Sequence, residues 1–148
     1  MRIRLEDFKR MLLVSLFSIP AIAFITFDFV FPNISVPSLE RNMLAAFLLS
    51  VLFGMPSGYF LKRTDVAILT VLVYVALGYV LGIVAYAAPF LFYDFSIIFP
   101  GAYFLFFLNR TIILLMILFL GGIIGVIVGQ LLRESMDTEE TAQWFAKP

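Results

Sequence analysis

The stretch Thr111–Leu132, TIILLMILFLGGIIGVIVGQLL, decides the fold. It contains no charged side chain, and about 20 apolar residues of helix cross the roughly 30 Å hydrocarbon layer of a bilayer. A segment in lipid must satisfy its own backbone N–H and C=O groups, so this run is expected to be a transmembrane helix. Apolar residues continue back to Gly101, which places the span at about 108–132. Whether 94–110 is helix, interfacial segment or loop stays open at this level.

Three further runs precede it: Met11–Phe31, Met43–Leu61 and Val66–Tyr93. Pro20, Pro56 and Pro89 fall within or near the ends of these runs, where proline tends to kink a membrane helix without excluding it. The triplet Ala21-Ile22-Ala23 resembles a leader cleavage site. Glu6 and Asp7 interrupt the basic region such a leader needs, and the run continues to Phe31, so it reads as a retained span. The expected fold is all-α: an integral membrane bundle of four transmembrane helices (about 11–31, 43–61, 66–93 and 108–132). A short segment, 1–10, precedes it and a tail, 133–148, follows.

Composition agrees. The chain of 148 residues is 63% hydrophobic and 14% charged, against about 45–50% and about 25% in soluble domains. Ten basic and ten acidic residues cancel, so no basic face points to nucleic acid. There is neither cysteine nor histidine. That removes disulfides, thiolate chemistry, the usual haem and zinc ligands and the usual general base. No catalytic residue, cofactor or metal is expected.

Lys and Arg set the orientation. Four spans put Arg2, Arg4, Lys9, Arg10, Lys62, Arg63, Arg133 and Lys147 on one side and only Arg41 and Arg110 on the other. The richer side is expected to be cytoplasmic, with both termini. Compactness favours the plasma membrane of a prokaryote over an organelle.

The two halves resemble each other. Phe27-Asp28-Phe29 precedes Pro32 as Tyr93-Asp94-Phe95 precedes Pro100, and Arg41 and Arg110 precede spans two and four. Gly54-x-x-x-Gly58-x-x-Leu61 matches Gly125-x-x-x-Gly129-x-x-Leu132. A repeated hairpin keeps its orientation and implies an axis along the membrane normal. Convergence is the competing reading, because any membrane hairpin tends to carry outer aromatics, glycines and inner basic residues.

Glycines repeat every four residues: Gly54 and Gly58, Gly78 and Gly82, and Gly121, Gly125 and Gly129, with Gly122 beside them. Each set lines one helix face and lets another backbone approach. They serve packing within the bundle or an interface with a partner subunit or a second copy.

Ionisable groups at membrane depth would signal a transport path. Asp28 and Asp94 stand instead at outer ends, where Asp28 with Arg41 and Asp94 with Arg110 are expected as outer-surface ion pairs or a ligand site. Hydroxyls, Ser50 among them, make up most of the rest, and Tyr74, Tyr79 and Tyr86 form a candidate polar path; bonding to local backbone or to a neighbouring helix is the plainer reading. Aromatics crowd the outer rim, from Phe24 to Phe31 and from Phe90 to Phe107, as a lipid belt or a protein contact. In the tail, Asp137 and Glu140 suit a helix start ahead of Trp144 and Phe145; the tail reads as frayed with Trp144 resting on the membrane or as a docking helix for a partner. The preferred function is a non-catalytic small subunit that scaffolds or stabilises a membrane complex through its glycine-lined faces and aromatic rim. The alternative is a homo-oligomeric transporter, channel or lipid-handling protein. Partners are the bilayer, other membrane subunits or a second copy.

Overall fold

The computed structural model describes residues 5–30, 43–92 and 100–145. They form α1 (Leu5–Val30), α2 (Met43–Phe60), α3 (Thr64–Phe92) and α4 (Pro100–Phe145). All four helices are long and apolar enough to cross a membrane. No strand occurs among the described residues.

The helices overrun the apolar stretches. α1 starts at Leu5, so the expected juxtamembrane segment is helical from that residue; Glu6 and Asp7 fill its first turn, where acidic groups favour the positive end of the helix dipole. α1 continues through Pro20 and α2 through Pro56. α4 is the largest departure. Its 46 residues make a rod about 69 Å long at 1.5 Å per residue, more than twice the ~30 Å apolar layer. Residues 100–110 are therefore helix. Asp137 lies inside α4 and does not start a new helix.

Sequence neighbours are not the main packing partners. α2 packs chiefly on α4, and α1 chiefly on α3. In the first pair Gly54 meets Gly122 and Gly58 meets Val126; in the second Gly78 meets Ile22 and Gly82 meets Thr26. Both numbers rise together, so each pair is parallel. The short link 61–63 turns the chain between α2 and α3, making the two pairs antiparallel to each other. Between them lie Ile22, Leu61, Val66, Val71, Tyr74, Val75, Leu114, Leu118 and Val126, all fully buried.

The end of the bundle bearing this link, here the turn face, is tied by polar bonds. The last carbonyls of a helix lack intrahelical donors and carry its negative dipole end. At the end of α2 the Arg10 guanidinium of α1 donates to the Phe60 carbonyl at 3.0 Å. Arg133 of α4 donates to the Leu61 carbonyl at 3.2 Å. The Gln130 amide donates to the Thr64 hydroxyl at 2.9 Å, linking α4 to the start of α3. Arg63 grips Asp65 through two bonds of 3.1 and 2.5 Å. All four helices are thus referenced to one turn.

Candidate functional site

The glycines form two seams. On α2 and α4, a Cβ added at Gly54, Gly58, Gly125 or Gly129 would overlap a backbone carbonyl oxygen of the facing helix: Gly122, Val126, Val51 and Met55 respectively. Gly121 faces the Phe47 carbonyl, 2.8 Å from where its Cβ would be. The backbones therefore lie closer than any side chain permits. Lipid tails are as apolar as leucine, so burial alone does not drive helices together. Close backbone contact supplies dispersion and Cα–H···O attraction instead.

Ser50 belongs to this seam and bonds a neighbouring helix, one of the two roles expected of the hydroxyls in the spans. Its hydroxyl donates to the Leu118 carbonyl at 2.5 Å while the residue is fully buried. Its significance emerges when α2 is slid onto α4 so that Gly54 falls on Gly125. Ser50 then falls on Gly121, Val51 on Gly122, Met55 on Val126 and Gly58 on Gly129. Gly54 meets Gly122 as Gly125 meets Val51, and Gly58 meets Val126 as Gly129 meets Met55. Ser50 bonds the Leu118 carbonyl as Gly121 meets that of Phe47. Each of these contacts is the image of another across a twofold.

The second seam is looser. A Cβ at Gly78 would stand 2.7 Å from the Ile22 Cβ, and one at Gly82 would stand 3.2 Å from the Thr26 side chain. α1 offers no glycine in return, so this contact lacks the reciprocity of the first. Gly122 joins the two pairs: its missing Cβ leaves room for the Val71 side chain and the Tyr74 hydroxyl of α3.

The tyrosines do not form one line. Tyr74 is 0% exposed and its hydroxyl has no hydrogen-bond partner. Tyr79 shares a 2.8 Å hydrogen bond with the Thr111 hydroxyl of α4, and Tyr86 is buried. At 3.6 residues per turn Tyr79 and Tyr86 share a face, whereas Tyr74 points about 140° away from Tyr79. Thr26 and Thr70 return their hydroxyls to the carbonyls of Ile22 and Val66, each at 2.8 Å, which satisfies them locally.

The expected outer pairs are placed only in part. Asp28 is not an exposed surface group: it is 3% exposed, and its Oδ1 has no hydrogen-bond partner. Arg41 and Asp94 lie outside the described residues. Arg110 lies on α4 directly before Thr111, and only its backbone is described. Much of the aromatic rim likewise falls outside the described side chains.

Comparison with known proteins adds no relative. No protein-family model matches the chain, and no curated protein or solved structure shows significant similarity to it.

Proposed function

We propose that this chain is a non-catalytic structural subunit, a small four-span unit that scaffolds or stabilises a larger membrane complex. The observation that carries the reading is the outward side of α4. Ile113, Met116, Leu120, Ile124, Ile127 and Leu131 stand exposed there, three or four residues apart, as an apolar stripe of the kind a partner helix packs into. The glycine faces are taken up inside the chain, so a partner meets the opposite side of α4.

Two finer readings accompany it. Arg10, Lys62, Arg63 and Arg133 all belong to the turn face, which supports a cytoplasmic location for that face and both termini, in a prokaryotic plasma membrane. The twofold images in the α2·α4 seam support descent of the two hairpins from one duplicated unit. Because the chain has no cysteine, single cysteines report orientation cleanly. Ser35→Cys should react with an impermeant maleimide in intact cells, and Lys62→Cys only after permeabilisation. The reverse pattern would invert the topology.

Gentle extraction from the native host followed by native mass spectrometry tests the function. A stoichiometric second polypeptide is expected, and the pair Met116→Trp and Ile124→Trp should release it while the four-helix unit survives. A particle holding only this chain, in two or more copies, would refute the subunit reading. It would favour a homo-oligomeric transporter or channel, the reading to which the buried Asp28 lends weight.

A further inference from the structure

An apolar slot runs between α1 and α3 below the turn face. One wall is the row Phe8, Leu12 and Leu16 of α1, four residues apart; the other is Val73 and Leu77 of α3. Phe8, Leu12, Leu16 and Leu77 are each at least half exposed, so the slot lies on the lipid side of the bundle. Its free volume is about 290 Å³. From Phe8 to Ile19, the last α1 residue along it, the slot is about 17 Å long at 1.5 Å per residue. That is close to one leaflet, half of the ~30 Å hydrocarbon layer. A helix of this length and about 10 Å across fills roughly 1,300 Å³, so the slot is too narrow to seat one. At about 30 Å³ for a group the size of a water molecule, it holds roughly ten methylenes in a row.

The polar groups of the slot say what carries that chain. At its turn-face end Lys9 follows Phe8, and Lys62 stands two residues ahead of α3; both are exposed. Asp65, beside them in sequence, is held by Arg63. Basic side chains at a membrane boundary attract anionic headgroups. Ser15, about 8 Å deeper than Arg10 by helix rise, also lines the slot. It is buried, and its hydroxyl has no hydrogen-bond partner, whereas Thr26 and Thr70 return theirs to their own helices. We propose that this slot binds one acyl chain of an anionic glycerophospholipid whose headgroup lies at Lys9 and Lys62. The site does not depend on whether the chain has a protein partner.

The test uses the full chain in mild detergent, supplied with dioleoylphosphatidylglycerol or dioleoylphosphatidylcholine and weighed by native mass spectrometry. The wild type should retain one phosphatidylglycerol per chain in preference to phosphatidylcholine. Leu77→Trp, which fills the slot from its exposed wall, should lose it. Ala85→Trp, in a separate hollow beside Phe24 and Leu81, should keep it. The double variant Lys9→Gln, Lys62→Gln should bind phosphatidylglycerol at least fivefold more weakly, the worth of one basic side chain at an anionic surface. No retained lipid, or equal retention of the two lipids, would overturn the proposal on the wild type alone. So would equal behaviour of Leu77→Trp and Ala85→Trp, or unchanged binding in the double lysine variant. Cross-linking of Leu16→Cys to a second polypeptide in the native particle would put protein in the slot and refute the lipid.

Discussion

Gly58→Ala should lower the unfolding free energy by about 2 kcal/mol, within the ~1–3 kcal/mol range for forcing a methyl group into a packed interior. Its Cβ would overlap the Val126 carbonyl oxygen and press on the atoms behind it, the carbonyl carbon at 2.8 Å and the Cα at 2.9 Å. These are backbone atoms, so no rotamer change relieves the overlap and α2 must move away from α4 along the whole seam. The intrinsic preference of helices for alanine, up to ~1 kcal/mol over glycine, offsets only part of this. Gly82→Ala is the control: its new methyl would stand 3.2 Å from the Thr26 Cβ and Cγ2, a mild crowding that the helix preference for alanine offsets, so little change is expected. Gly129→Ala should match Gly58→Ala, because each is the other's image in the seam. Denaturant titration in mixed micelles, followed by circular dichroism, ranks the three. Wild-type stability in Gly58→Ala would show that the seam is not closed by backbone contact.

Tyr74→Ala should cost more, about 3–5 kcal/mol, as large aromatic truncations in a core do. Tyr74 is among the largest fully buried side chains and fills the space beside Gly122 where α3 meets α4. Removing the ring leaves a void that two rigid helices close poorly. Tyr74→Phe should be neutral or slightly stabilising, because the lost hydroxyl has no hydrogen-bond partner and its burial carries a desolvation cost. The contrast separates packing from transport. If Tyr74→Phe abolished a measured flux in liposomes while leaving stability intact, the hydroxyl would belong to a polar path.

The existence of the four helices was legible from hydropathy, since α2 follows its apolar run within a residue. Their lengths were not. Hydropathy reports where lipid begins, whereas helix continues wherever the backbone can keep its bonds, as α1 does through Glu6 and Asp7 and α4 through Arg133 and Glu134. The glycine periodicity marked the right faces, but spacing along one helix carries no address for the opposing helix. That α2 seeks α4, and α3 seeks α1, follows from which surfaces interlock. Ser50 was read as a hydroxyl that bonds backbone or a neighbouring helix, but its acceptor on α4 could not be named for the same reason, although the match of Gly54 to Gly125 also puts Ser50 on Gly121. Charge was read least well. Asp28 sits near the end of an apolar run, which resembles an exposed boundary in sequence, yet it is buried. Arg10 and Arg133 read only as topology signals, while in three dimensions they close the end of α2.

The parallel pairing sets a timetable for biosynthesis. Helices emerge from a ribosome in chain order, so of these four α1 and α2 enter the membrane before the others, and they are only minor partners. α1 waits for α3, and α2 holds Gly54 and Gly58 open until α4 arrives. A nascent chain halted after α3 would therefore expose a complete glycine face in the bilayer, ready for quality-control proteases or for an α4 from a neighbouring copy.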